Sequence, residues 1–475
     1  MNPFSNHPKT LSRRKFLGEA SCATLGSTAL LSTMLNLRLA NRAAAETLPT
    51  GNDYKAVICL FLAGGNDSHN MLIPREVDEY AHYVSARGVA TGDTGGLALT
   101  PEEVLEITDP RSGRRFGVHN GLTELKGLYD TGDLAFLANV GTLVEPMTIQ
   151  EYQSGSKKRP LGLFSHSDQQ MHWQSSVPDQ RSSIGWGGRM GDLLGALNDN
   201  TKISMNISLN GSNVFQSGNQ VTEYAIGSNG STALAAYDWD TNFRTATNSL
   251  LDQEYANLFK STYANMTRNA LEAHEEFSSA IDEAGDLTTE FPDTNFGDRL
   301  KMIARTIKAR GSLDMRRQCF FVENSGWDHH DDVLNNQNDM FPEVSQAVAA
   351  FWAAMGELGM QDDVLLFTAS DFGRTLSSNG QGSDHAWAGN QFILGGGING
   401  GRIYGNYPED LRLGNPLDVD QNRGRLLPTT SVDEYFAELA CWMGVSNGNL
   451  ADVLPNIGRF YTPGSGTPPL GMFSS

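Results

Sequence analysis

Apolar residues along the chain fall into two rhythms. The first is a set of short, nearly continuous runs, each ending in a polar loop that carries glycine. Residues 56–62 lead into Gly64-Gly65-Asn66-Asp67, and residues 318–322 lead into Ser325-Gly326-Trp327-Asp328-His329-His330. Residues 364–368 lead into Ser370-Asp371-Phe372-Gly373-Arg374, and a fourth run, 391–394, comes just after Asp384-His385. Runs without polar alternation suit strands buried on both faces, as in a parallel sheet. The second rhythm has three-to-four spacing. It predicts a helix over 299–310, with Leu300, Ile303, Ala304 and Ile307 on one face, and another over 344–358, with Val344, Val348, Phe351 and Met355 inward. Residues 122–129 followed by 134–137 read as a further helix–strand unit, and 431–443 as a C-terminal helix. The alternation of helix and strand predicts an α/β fold, a mainly parallel central sheet flanked by helices. Residues 241–284 are polar, helical in pattern and free of strand runs, so a helical insertion is expected at about 240–290. The segments near 92–96 and 293–297 read as loops.

Composition narrows the class. The chain of 475 residues carries a net charge of −20, spread along its length. Binding a phosphate backbone needs clustered Lys and Arg, so a nucleic-acid partner is excluded. Cys22 lies in the N-terminal segment, which leaves Cys59, Cys319 and Cys441, an odd number at wide spacing and with no CxxC pair. That pattern fits neither a disulfide framework nor a cysteine zinc site. Cys59 and Cys319 sit inside apolar runs and read as buried thiols.

The N-terminus has its own logic. Ser12-Arg13-Arg14-Lys15-Phe16-Leu17 places an arginine pair before Phe-Leu, the feature read by the twin-arginine exporter. A weakly apolar stretch, 23–39, follows, and Ala43 and Ala45 fit the small-residue rule for signal cleavage. Residues 1–45 are therefore expected to be a signal peptide and 46–475 an exported, periplasmic or extracellular chain without a stable membrane span. The export machinery is its first expected partner. The bland alternative is an ordinary tail with a chance Arg-Arg.

In an open parallel sheet, ligands collect outside the carboxyl ends of the strands. Asp67, Asp328, His330 and Asp371 follow strand runs, and Asp384-His385 lies in a loop before the fourth. Together they suit an oxygen/nitrogen metal site. Singly, each acid reads as an ordinary loop or cap residue. The run Gly395-Gly396-Gly397-Ile398-Asn399-Gly400 fits GxGxxG formally, but Gly401, Gly405 and Pro408 follow where a dinucleotide site must open a helix.

Several motifs occur together: Leu62-Ala63-Gly64-Gly65-Asn66-Asp67, Gly326-Trp327-Asp328-His329-His330, Ser370-Asp371-Phe372-Gly373-Arg374-Thr375, Ser383-Asp384-His385 and the glycine-rich 394–405. With these the mature chain resembles a bacterial twin-arginine-exported family of unknown function, numbered fifteen-oh-one, remotely related to sulfatases and alkaline phosphatases. The resemblance implies an alkaline phosphatase-like fold and metal-dependent hydrolysis of phosphate or sulfate esters. It implies one ion on Asp328, His330 and His385 and a second on Asp67 and Asp371. Zinc is favoured, with manganese or calcium as alternatives. The substrate it implies is a small anionic ester or a sulfated or phosphorylated glycan. One departure stands out: the relatives have Asp-His where this chain has Asp371-Phe372, and phenylalanine cannot coordinate. In Leu163-Phe164-Ser165-His166-Ser167-Asp168, Ser165 is either the attacking hydroxyl, with His166 as ligand or acid/base, or a helix-capping serine. Arg374 either neutralises an anionic substrate or pairs with Asp371. His119 is an outside candidate for the missing ligand. The alternative to an enzyme is a non-catalytic exported protein that binds an anionic ligand or a surface polysaccharide.

Overall fold

In the computed structural model, residues 53–90, 95–420, 422–465 and 468–473 are described. The signal-peptide assignments, from Ser12 to Ala45, and most of the 92–96 loop lie outside the described residues. Residues 52–475 cluster as one compact unit.

The first apolar run becomes β1 (Lys55–Ala63) at the middle of a nine-stranded sheet. Two short strands and a partner, β2 (Leu72–Pro74), β3 (Val104–Thr108) and β4 (Arg115–His119), form a small antiparallel sheet of their own. The main sheet continues with β5 (Leu134–Gly141), β6 (Asn206–Ser208), β7 (Tyr224–Ala225), β8 (Arg317–Ser325) and β9 (Val364–Ser370). Then come the hairpin β10 (Arg374–Ser378) and β11 (Ser383–His385), followed by β12 (Gly389–Gly395), β13 (Ile403–Gly405) and β14 (Thr430–Ser431). Strand order is β13-β5-β12-β9-β1-β8-β6-β7, with β14 beside β5. Every pairing is parallel except those of β12, which runs antiparallel to both β5 and β9. The expected α/β architecture with a mainly parallel sheet is what the chain adopts.

The continuous apolar runs have a plain cause. In β1, Ala56, Ile58, Leu60 and Leu62 face one core while Val57, Cys59, Phe61 and Ala63 face another. The first core is closed by the helices Asn295–Lys308 and Val333–Leu358, the second by Trp186–Leu194 and Val432–Met443. Both helices of the first core start earlier than the sequence pattern indicates. Asn295–Lys308 begins inside the supposed 293–297 loop, because the Thr294 side chain accepts from Gly297 N. Val333–Leu358 begins ahead of the predicted start at 344 and runs through Pro342. The insertion is a pair of helices, Thr241–Leu251 and Leu258–Ala284. The glycine-rich stretch after β12 turns into β13 and opens no helix. Among the described residues no helix is long and apolar enough to cross a membrane.

Candidate metal centre

Registers bring the site together. Leu62 is level with Asn324 of β8 and with Ser370 of β9, so Gly64, Asp328 and Asp371 emerge at one edge. His385 comes from the opposite chain direction. It ends β11 just before β12, and because β12 is antiparallel its start lies at the edge where β1, β8 and β9 finish. The helix His166–Ser175 brings the last element, His166 at its first position.

Space at this edge is held open by two glycines. Gly64 has φ +120°, and a Cβ there would lie 2.4 Å from Asp328 N. Gly65 has φ +82°, and a Cβ there would meet the Phe372 ring at 2.5 Å. No other residue tolerates both the backbone angles and the contacts.

Three donor groups converge. His166 Nε2 lies 3.0 Å from His385 Nε2 and 3.4 Å from Asp328 Oδ2, and His385 Nε2 lies 3.5 Å from Asp328 Oδ1. His330 Nε2 stands beside them, 2.8 Å from His385 Nε2 and 3.2 Å from Asp328 Oδ1. Each imidazole is oriented by its other nitrogen. His166 Nδ1 donates to Asp371 Oδ2 at 2.6 Å, His385 Nδ1 to the Phe164 carbonyl at 2.8 Å, and His330 Nδ1 to Asp384 Oδ1 at 3.2 Å. Carboxylates and carbonyls only accept, so the proton of each neutral ring sits on Nδ1. Three Nε2 lone pairs are thereby turned toward one another and toward a carboxylate. Lone pairs at such distances repel unless a proton or a cation lies between them.

The backbone strains to build this. Phe164 has φ +74°, a left-handed conformation costly for a bulky residue, and its carbonyl is the one that fixes His385. The Phe164 ring packs under the Arg425 guanidinium at 4.3 Å, while Arg425 Nε donates to the His385 carbonyl at 2.8 Å. Phe372 supplies the floor: it is buried and its ring lies 4.8 Å from His166 and 4.6 Å from His385.

Electrostatics follow from these contacts. The Asp371 hydrogen bond holds His166 above its ordinary pKa, against the opposing effect of burial. Burial lowers His385, with the Phe164 carbonyl working the other way. For Asp328, burial raises the carboxyl, but Arg374 and the neighbouring imidazoles together bring it below the usual range.

The remaining candidates are placed as follows. Asp371 is fully buried; besides His166 it accepts from Gly64 N at 3.0 Å and from Gln170 Nε2 at 2.9 Å, so it faces the back of His166. Arg374, expected to meet a substrate anion or Asp371, pairs with Asp328. Its side chain is 0% exposed and its donors go to the carbonyls of Gly64, Gly65 and Ser383 and to Asp328. Arg374 is a clamp on the site loops. Asp67 stands apart from the cluster: Oδ2 takes hydrogen bonds from Arg87 and Ser383, each at 2.7 Å. Burial raises its carboxyl, but Arg87, His69 and Ser383 outweigh that and hold it below the ordinary range. The buried His69 beside it is pushed down to about 4 by burial. Ser165 precedes the His166 helix without capping it, and its hydroxyl lies 3.3 Å from Ser167 Oγ. His119 is remote in role: it accepts from Gly121 N and packs against the Phe341 ring.

Asp328, His330 and His385, the set the resemblance implies, do lie together, and His166 joins them. Gln170 and Arg87 carry no sequence signal, and Ser383 and Phe164 lie in motifs that assign them no role.

The donor set fits a divalent ion. Nitrogen ligands at ~2.0–2.1 Å around tetrahedral zinc stand about 3.3 Å apart, against 3.0, 3.4 and 3.5 Å here. Imidazoles whose far nitrogens donate to a carboxylate or a carbonyl are how proteins orient metal ligands.

A family model described as "Protein of unknown function (DUF1501)" matches residues 54–421. No curated protein matches in sequence. Among solved structures, Ps i-CgsB in complex with k-i-k-neocarrahexaose is 8% identical, over 82% of this chain and 72% of that one, with a TM-score of 0.32. PsFucS1 sulfatase from Pseudoalteromonas sp. is 11% identical, over 87% of this chain and 72% of that one, with a TM-score of 0.31. At this level of likeness nothing about activity follows.

Proposed function

The chain belongs to that DUF1501 family, and on this footing we propose that it is a metal-dependent hydrolase of phosphate or sulfate esters acting outside the cytoplasm. One observation carries the reading. Three imidazoles have their Nδ1 protons committed to Asp371, Phe164 and Asp384, and their Nε2 atoms converge with the Asp328 carboxylate. His166, His385 and Asp328 hold the ion in this reading, with His330 at its margin. Imidazole-rich sets favour zinc over manganese, and calcium prefers oxygen alone.

A divalent ion there supplies a Lewis acid and a more acidic water. The chain's own groups do the rest. Asp371 fixes the His166 ring, Phe372 packs against both imidazoles, and Arg374 ties the loops after β1, β8 and β9 together. Ser165, at the mouth of the His166 helix, is assigned as the hydroxyl that attacks the ester phosphorus or sulfur. The Ser165 proton is given up to solvent, the bond to the alcohol oxygen breaks, and the alkoxide takes a proton from solvent. One water then splits the Ser165 ester, giving in all the free alcohol and the inorganic anion. The substrate is a small anionic ester or a sulfated or phosphorylated glycan.

A second reading, a non-catalytic binding protein, is favoured by Asp67, whose carboxylate is spent on Arg87 and Ser383. The two separate by experiment. Elemental analysis is expected to find about one zinc-like ion per chain, lost in His385→Ala. An ester panel with zinc, manganese, magnesium and calcium is expected to show turnover that Ser165→Ala abolishes without unfolding. Folded, metallated protein that turns over none of the esters would establish the binding reading.

A further inference from the structure

A second set of reactive side chains shares no residue with the metal centre. β7 ends at Ala225, and the chain then closes a tight turn. In it Gly227 N donates to the Gly230 carbonyl at 2.8 Å and Gly230 N to the Gly227 carbonyl at 3.0 Å. Gly230 has φ +99°, a conformation that suits glycine alone. The turn delivers Ser231 to the helix Leu258–Ala284, where His274 and Ser278, four residues apart, share a face. Ser231 Oγ lies 2.8 Å from His274 Nδ1 and 3.3 Å from Ser278 Oγ. His274 Nε2 lies 3.1 Å from Asp238 Oδ1, and an Arg244 guanidinium nitrogen stands 4.0 Å from the same oxygen.

These contacts assign the protons. A carboxylate only accepts, so the neutral His274 ring carries its proton on Nε2 and gives it to Asp238. Nδ1 is then a bare lone pair, and Ser231 is the donor of the 2.8 Å bond. With the Ser231 proton spent there, Ser278 is the donor of the 3.3 Å contact. A hydroxyl whose proton points at an imidazole, itself oriented by a carboxylate, is the arrangement that turns serine into a nucleophile. His274 is buried, whereas Ser231 is only half-buried and stays within reach of a ligand. Among the described residues the amide N–H groups of Ser231 and Thr232 bond to no other group, which leaves two backbone donors beside the hydroxyl for a developing oxyanion.

We propose that Ser231, His274 and Asp238 form a second, metal-independent site that hydrolyses neutral carboxylic esters. The charges between Ser231 and Arg244 are those of Asp238, Asp240 and Arg244, a sum of −1 that disfavours an anionic acyl group. Leu234 and Trp239 are exposed in the same loop and suit an apolar one. Ser231 Oγ attacks the carbonyl carbon while its proton passes to His274 Nδ1. The carbon–oxygen bond to the alcohol then breaks, and the alcohol leaves with that proton. Water attacks the acyl-serine, His274 takes a proton from it and returns it to Ser231 Oγ. The sum is ester plus water to carboxylic acid plus alcohol.

The test uses the purified protein with a chelator present, so that the metal centre plays no part. It is offered p-nitrophenyl butyrate and, separately, a fluorophosphonate, which loses fluoride to an activated serine and stays bound through phosphorus. The expected result is turnover above buffer and one phosphonyl group per chain, found on the Ser231 peptide by mass spectrometry. Turnover falls ~10³-fold or more in Ser231→Ala and ~10²–10⁴-fold in His274→Gln, with circular dichroism unchanged. Labelling is read on the wild type, so it stands even where a variant misfolds. A folded wild type that takes no label and turns over no ester overturns the proposal and makes the three residues a tie between the insertion and the sheet. Labelling at another residue, or turnover that survives Ser231→Ala, overturns it equally.

Discussion

Replacing Asp371 by Asn separates the orientation of His166 from the stability of the fold. Asp371 accepts three hydrogen bonds: from Gly64 N on Oδ1, and from His166 Nδ1 and Gln170 Nε2 on Oδ2. An asparagine has one acceptor and one donor end. If its oxygen replaces Oδ2, the amide faces the Gly64 N–H and leaves two buried donors opposed, at about 1–3 kcal/mol. If its oxygen replaces Oδ1, the amide faces His166 and Gln170. Gln170 can rotate its own amide, and His166 can move its proton from Nδ1 to Nε2. The second arrangement satisfies every group and is the one expected. It leaves the fold nearly unharmed but places a proton on the nitrogen that faces the ion in the proposed site. Loss of such an orienting partner weakens metal binding ~10–100-fold, or about 1.4–2.7 kcal/mol. Zinc affinity is measured by competition with a chromophoric chelator, and stability of the metal-free chain by thermal unfolding. An unchanged zinc affinity in Asp371→Asn, with the fold intact, would refute the assignment of His166 as a ligand oriented by Asp371.

Three further outcomes are expected. Burial pushes the Asp433 carboxyl up to about 7, against the smaller pull of Ser176 and Arg189. A folded pKa above the unfolded value means that the neutral form is favoured, so its stabilisation is full below pH ~4 and is lost as pH rises through about 7. Asp433→Asn should therefore gain about 4 kcal/mol over wild type at pH 8.5 and only about 2 at pH 5.5, read by denaturant midpoints. Arg87→Met strands the buried Asp67 carboxylate and should cost about 3–5 kcal/mol, much of it recovered when Asp67→Asn is added. Arg13→Lys/Arg14→Lys should hold the chain in the cytoplasm, checked by cell fractionation; unimpaired export sinks the signal assignment.

Much of the sheet was legible because burial on both faces leaves a mark. β1, β8 and β9 cannot alternate polar and apolar residues when each side meets a core, and their runs show it. What sequence could not give was direction. The run at 391–394 looks like its neighbours, yet β12 is antiparallel, and only that reversal brings His385 to the edge where Asp328 and Asp371 emerge. The helix start at Val333 lies outside the 344–358 stretch whose apolar spacing predicts the helix, and Pro342 sits inside the helix. In the site, acids and histidines in loops after strands were visible as types. Their roles depend on which atom faces which. Asp67 and Asp371 look equivalent in the chain; one is neutralised by Arg87, twenty residues away, and the other sits behind an imidazole. Gly64 and Gly65 were noticed as a loop, but the reason for them is the Asp328 backbone and the Phe372 ring, both more than 250 residues distant in the chain.

An anionic substrate on a chain of net charge −20 needs a reason to approach. The whole-protein field does not forbid it, since at physiological salt it fades within ~8 Å. The local charges decide. Asp328, Asp371 and Asp384 are the carboxylates bonded to the three imidazoles, and Arg374 and Arg423 are the cations bonded to Asp328 and Asp384. Three negative against two positive leaves −1, and a proton on His166 brings the sum only to zero. A divalent ion brings it to +1. Both arginines are already engaged with carboxylates, so neither offers a free charge to a ligand. Inorganic phosphate and sulfate should therefore bind the zinc-loaded chain and not the chelated one, measured by calorimetry at 0.15 M salt. His385→Ala, with zinc present, should behave as the chelated chain does. Equal phosphate affinity with and without the ion would mean that anions are held by groups other than this cluster, and the ester-hydrolase reading would lose its substrate site.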